Sequence, residues 1–155
     1  MPKVISNYVE VHVAYKNKSG YEFLLLKRTE EDKVYPGIWQ MITGGVQDFE
    51  TIRDGVMREI TEETGIKPMA VYSIPRVNSF YFDYGDAICL SPVFLAIAGN
   101  KDVKLSEEHT EYKWVDYNNA IALIRWPDQI ESLNVIHKYL NDSFLFNKLL
   151  KLEIE

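Results

Sequence analysis

The sequence predicts an α/β fold in which a mixed sheet packs between helices. Extended apolar stretches fill the middle of the chain, and three helical stretches are spaced among them. The length, 155 residues, suits one domain with an ordinary buried core, so residues 1–155 are read as a single domain. The composition, 46% hydrophobic and 26% charged, is that of a soluble globular chain.

The elements follow in order. Val9 to Tyr15 alternates loosely, is rich in valine, and reads as a strand. Asn17 to Gly20 is a turn cluster, and Tyr21 to Lys27 is a second strand, so the two form a hairpin. Thr29 to Gly37 is a polar loop, and Trp39 to Thr43 is a short extended piece stopped by Gly44-Gly45. A helix runs from Glu50 or Thr51 to Thr64, with Gly65 as its left-handed cap. Ala70 to Phe82 and Ala87 to Ala98 are extended, and Glu111 to Asp116 is a short strand. Asn118 to Arg125 and Gln129 to Lys148 are read as two further helices.

Several function classes are excluded or disfavoured. The net charge is −6 and no Lys/Arg-rich run is present, which argues against binding duplex nucleic acid through its phosphates. Cys89, the one cysteine, lies in an apolar run and cannot form an internal disulfide or a zinc cluster. No stretch reaches the ~18 apolar residues of a membrane span, and the N-terminus lacks a signal-peptide core, so a cytoplasmic protein is expected.

Residues 58–65, REITEETG, carry the chemistry. They place Glu59, Glu62 and Glu63 in the last turns of a helix, where the macrodipole disfavours acids and like charges one turn apart repel. With Ile52 at zero on a helical wheel, Val56 falls at roughly 40° and Ile60 at roughly 80°, which makes these three the buried stripe. Glu59 and Glu63 lie within about 20° of Ile52, so they border the core rather than face solvent. Arg58 is expected to pair with Glu62 and Asp54 and to face away from the other two acids. A divalent cation accounts for Glu59 and Glu63 directly. Two carboxylates one turn apart can share it, and hard oxygen donors favour Mg²⁺, Mn²⁺ or Ca²⁺ over zinc.

The wider stretch, GGVQDFETIRDGVMREITEETGI at 44–66, fills every fixed position of Gly-x5-Glu-x7-Arg-Glu-Ile-x-Glu-Glu-x-Gly-Ile. In this it resembles the Nudix hydrolases. The resemblance implies an α/β/α sandwich and divalent-metal hydrolysis of a nucleoside diphosphate linked to another group. It makes Glu59 and Glu63 the main metal ligands and Glu62 a further ligand or a base. Arg58 orients the carboxylates, and the Thr43 carbonyl joins the metal site. Gly44 and Gly45 let backbone approach a phosphate, and Glu50 fixes the loop before the helix. Two positions depart from many relatives: Phe49 stands where glycine is common, and Gln47 where glutamate is.

A narrower resemblance rests on WQMITGG at 39–45 and SEEHTEYKWVD at 106–116. Both are similar to the branch that hydrolyses dihydroneopterin triphosphate and dATP, in which Glu108 would be another metal ligand. The resemblance also places Arg28 and Thr43 against the substrate, Arg28 through a phosphate. The aromatic stretch NSFYFDYGD offers Phe80 as a ring on which a base or pterin stacks. His12 reads as packed, and His109 and His137 have no partner pattern.

The expected activity is Mg²⁺-dependent cleavage of a nucleoside or pterin triphosphate to a monophosphate and pyrophosphate. Mn²⁺ is the alternative ion. Dinucleoside polyphosphates and nucleotide sugars are the alternative substrates. A nucleotide-sensing domain and a calcium-stabilised structural domain are the competing non-enzymatic readings.

Overall fold

Strand pairing organises the molecule around one mixed sheet. The structure, a computed structural model, describes residues 1–154. The strands are β1 (Lys3–Ile5), β2 (Tyr8–Lys16), β3 (Tyr21–Arg28), β4 (Trp39–Gln40) and β5 (Ile42–Gly45). They continue with β6 (Pro68–Phe82), β7 (Ala87–Ala98), β8 (His109–Val115) and β9 (Leu150–Lys151). The helices are α1 (Ile52–Thr64), α2 (Tyr117–Leu123), α3 (Pro127–Leu140) and α4 (Ser143–Phe146).

β2 runs parallel to β7 along one edge, Glu10 opposite Val93 through Tyr15 opposite Ala98. Its other edge is shared end to end. Ala14–Lys16 pair with β3, and Tyr8–Val11 pair with β5, both antiparallel. The expected hairpin thus forms, closed by Asn17, whose Oδ1 accepts from the Ser19 and Gly20 amides at 2.9 and 2.8 Å. β6 and β7 make a long antiparallel hairpin with a bulge between Ile74 and Val77.

Alternation along the strands divides the core into two layers. Val9, Val11, Val13, Leu24 and Leu26 face α1 and pack with Val56 and Ile60. Ala14, Phe23, Leu25, Val93 and Leu95 face the other side and pack with Leu133 and Ile136 of α3. This is the expected mixed sheet between helices.

α1 forms for the reasons read from sequence. Thr51 caps it by accepting from the Asp54 amide at 3.1 Å, and Gly65 ends it at φ 68°. One expectation fails: Ile52 is exposed, because the first helical residue overhangs the sheet, and the buried stripe begins at Val56. The helix expected over Gln129 to Lys148 is also divided. Asn141 ends α3, and Asp142 starts α4 by accepting from the Leu145 amide at 3.1 Å. An Asn-Asp-Ser run bonds its own backbone more readily than it continues a helix.

Candidate active site

The Gly44-Gly45 turn at the end of β5 meets the middle of α1. A β-carbon at position 44 would lie 2.1 Å from the Glu59 carboxyl carbon, so only glycine leaves room for that side chain. Glu59 and Glu63 are 7% and 6% exposed, which confirms that both acids border the core. Glu62 stands further out, its side chain about half exposed.

Arg58 ties this end of the site together. Its Nε and Nη2 donate to the two Glu50 oxygens at 2.8 and 3.0 Å, and Nη1 donates to Glu59 and Glu62 at 3.0 and 3.1 Å. Nη2 also donates to the Gly45 carbonyl at 2.7 Å. The side chain therefore reaches Glu59, contrary to the wheel projection. Its long stem folds back over the helix, and the expected partner Asp54 is not among its contacts. These hydrogen bonds, Glu50 foremost, raise the Arg58 pKa. They also hold the Glu50 carboxyl below its usual range, helped by the Gln47 amide at 2.9 Å. Glu50 thus pins the loop before the helix, with Arg58 as its anchor.

Glu63 belongs to a second group. Ser106 Oγ donates to its Oε2 at 2.8 Å, and His109 Nδ1 lies 2.9 Å from the same oxygen, off hydrogen-bond alignment. Glu108 lies close enough to Glu63 for the two carboxyls to act on one another. Burial and the adjacent Glu63 raise the Glu108 carboxyl. Burial acts upward on Glu63 too, but contacts from His109, Ser106 and Glu108 outweigh it, so Glu63 is held low. Glu59 is raised by burial, against the pull of Arg58. Ser106 and His109 were not identified from sequence; their signal was the SEEH loop itself, whose first and last members reach Glu63.

The remaining sequence candidates are distributed around this centre. The Arg28 guanidinium is engaged by Asp32, with Nε donating at 2.9 Å, and lies close enough to Glu108 to act on its charge. Thr43 is exposed and, opposite Glu10 in the sheet register, belongs to the face turned away from α1. Phe80 is exposed on that same distant face, beside Tyr8 at 6.3 Å between ring centroids. His137 stacks on Tyr117 at 3.7 Å and has no part in the site.

The acids suit a hard divalent cation. Glu50, Glu59, Glu62, Glu63 and Glu108 outnumber the one arginine among them, and two of the five are almost wholly buried. Among the described residues no three His, Cys, Asp or Glu side chains converge on a single point. The oxygens instead form two groups, Glu50, Glu59 and Glu62 around Arg58, and Glu63 and Glu108 beside His109. Glu59, Glu63 and Glu108 are the residues that would hold an ion there. Among the described residues no helix is long and apolar enough to cross a membrane.

This geometry sets helix carboxylates against a glycine turn, an arrangement that could serve hydrolysis of an anionic substrate through a bound cation. Comparison with known proteins agrees: the NUDIX domain model matches residues 8–138. The nucleoside triphosphatase NudI of Klebsiella pneumoniae strain 342 is 32% identical over 101 residues, covering 60% of this chain and 72% of that protein. A crystal structure from Listeria monocytogenes assigned to the NUDIX hydrolases superimposes with a TM-score of 0.77 at 27% identity, covering 92% of this chain and 97% of the other. The Escherichia coli dihydroneopterin triphosphate pyrophosphohydrolase shares the fold, with a TM-score of 0.68 at 21% identity over 87% of this chain and 94% of that one. The chain belongs to the NUDIX family and is a hydrolase acting on phosphorus-containing anhydrides.

Proposed function

We propose that this hydrolase is a Mg²⁺-dependent pyrophosphohydrolase that converts a nucleoside or pterin triphosphate to the monophosphate and pyrophosphate. The observation that carries this reading is the buried pair Glu59 and Glu63, one turn apart, with Gly44 backbone against the first and Glu108 against the second. The likeness to a nucleoside triphosphatase over most of its length supports a triphosphate substrate. Residues 1–155 act as one catalytic domain, and a cytoplasmic location is part of this reading.

A bound Mg²⁺, or Mn²⁺ in its place, supplies Lewis-acid stabilisation of phosphoryl charge and a more acidic water. The chain does the rest. Glu59, Glu63 and Glu108 would hold the ion, and Arg58 keeps Glu59 and Glu62 in place. Water attacks phosphorus in line, the anhydride P–O bond breaks, and pyrophosphate leaves. The water's proton passes to a carboxylate of the group Glu62, Glu59 and Glu108. Thr43, Gly44 and Gly45 lie along the substrate, and Arg28, released from Asp32, reaches a phosphate.

The deciding experiment offers purified protein with Mg²⁺ a panel of dihydroneopterin triphosphate, the dNTPs, diadenosine polyphosphates and ADP-ribose. Pyrophosphate from a triphosphate, lost with EDTA and in Glu63→Gln, is the expected outcome. Cleavage confined to ADP-ribose or a dinucleoside polyphosphate would replace the triphosphate reading. Metal binding without turnover of any of them would favour a nucleotide sensor.

A further inference from the structure

On the sheet face turned away from α1 lies a polar cluster that the catalytic centre does not use. Glu10 and His12 alternate with Val9, Val11 and Val13 on β2, so both acid and imidazole project into the α3 layer, where apolar side chains would be expected. Glu10 is 3% exposed. His12 Nε2 donates to its Oε2 at 2.7 Å, and Asn78 Nδ2 donates to its Oε1 at 3.0 Å. Arg76 sits in the bulge of β6, a kind of irregularity that re-aims side chains. Its Nε donates to Asn78 Oδ1 at 3.1 Å and points to Ser132 Oγ at the same distance. The Asn78 amide is thereby fixed with its nitrogen toward Glu10.

Each Glu10 oxygen accepts one internal hydrogen bond and keeps a further lone pair. Tyr8 and Phe80, two residues along from Glu10 and Asn78, are both exposed, and their rings are tilted 49° to one another. Thr43, opposite Glu10, is exposed as well. A flat aromatic ligand stacked on either ring would lie two residues along its strand from Glu10 or Asn78. Gly45 stands opposite Tyr8, and Gly44 beside it touches Glu59, so one turn of β5 joins this face to the catalytic one.

We propose that Glu10, held by His12 and Asn78, reads the heterocycle of the substrate, and that it selects a ring presenting two adjacent donors, a ring N–H beside an exocyclic amine. Guanine and pterin both carry that 2-amino-4-oxopyrimidine edge. A carboxylate accepts it through both oxygens, as it accepts a guanidinium. Adenine presents one amine beside ring nitrogens that are acceptors, and one of these would face a carboxylate oxygen. The inference rests on the triphosphate reading for its biological meaning, but it is tested by binding alone.

Calorimetric titration of the full chain with GMP, neopterin and AMP tests it, since none of the three needs to be cleaved. GMP or neopterin should bind roughly tenfold or more tighter than AMP, and the two arms show which source of the shared edge is preferred. Glu10→Gln should remove most of that preference, and Phe80→Ala, at an exposed position, should weaken the preferred ligand. Equal binding of AMP, no binding of any of the three, or a natively folded Glu10→Gln that keeps the preference overturns the proposal. If Glu10→Gln does not fold, Phe80→Ala decides, and unchanged binding there overturns it. A protein that shows the binding preference but cleaves no triphosphate would refute the proposed reaction and leave this site standing.

Discussion

Gly44 and Glu59 contend for one volume: a β-carbon on the first would sit 2.1 Å from the carboxyl carbon of the second. The atom in the way is the end of a flexible side chain, so a methyl group there should displace the carboxylate rather than the backbone. Gly44→Ala is expected to keep its melting temperature within a few degrees and to lose turnover by about a hundredfold, the scale of a misplaced catalytic group. Thermal melts and kcat on one preparation test both halves.

Arg58 donates to Glu50, Glu59, Glu62 and the Gly45 carbonyl, a planar fork that lysine cannot reproduce. Arg58→Lys should fold and lose roughly tenfold or more in kcat. Arg58→Ala leaves the acids facing one another and should cost about 2 kcal/mol of stability as well. Urea unfolding of the two variants separates charge from geometry.

Phe49 is exposed and holds φ 69°, in the left-handed region that favours glycine. The ring packs on nothing that would repay the strain. Phe49→Gly should gain roughly 0.5–1 kcal/mol, the relief of left-handed strain less the entropy of a freer unfolded chain. The urea midpoint should rise without a change of slope.

Asp32 titrates at about 2, held there by the Tyr35 amide foremost, then by Arg28 and the Val34 amide. A depressed acid adds stability that is complete above its unfolded pKa and disappears as pH falls through the folded one. The advantage of wild type over Asp32→Asn should therefore hold above about pH 4 and vanish near pH 2. Melts across that range test it.

Glu59 and Glu108 have the opposite sign. Burial raises both, so the folded protein binds their protons more tightly than the unfolded chain does. Their contribution falls as pH rises from the usual glutamate range through the raised values. Metal-free protein should lose stability over that interval, and Mg²⁺ should restore it at neutral pH. A melting temperature that ignores Mg²⁺ would count against these acids as ligands.

Much of this was legible because its signals are local. Thr51, the spaced apolar residues and Gly65 specify α1 within one stretch of chain, and they place Glu59 and Glu63 at the border of the core before any tertiary contact is known. β1 and β9 were not legible: three and two residues long and largely exposed, they are strands only by virtue of β7 and β6 beside them. Ser106 and His109 needed the loop before β8 to be folded against α1. Gln129, whose Oε1 accepts from the Met41 amide at 3.0 Å between β4 and β5, is separated from it by most of the chain. The Glu10 cluster did leave a trace. A strand with valines on one face and an acid and a histidine on the other pointed to it, and His12, read as packed, is wholly buried there.

The pairing of β2 with β5 sets Thr43 opposite Glu10 and Gly44 opposite Val9. Because strand side chains alternate, sliding β5 by one residue would exchange its two faces. Threonine would then press on Glu59 while glycine lay against Glu10. A single alignment of four residue pairs therefore serves as a common gauge for both sides of the sheet. A residue inserted or deleted between Trp39 and Thr43 should silence both chemistry and recognition in a protein that still melts as a folded one.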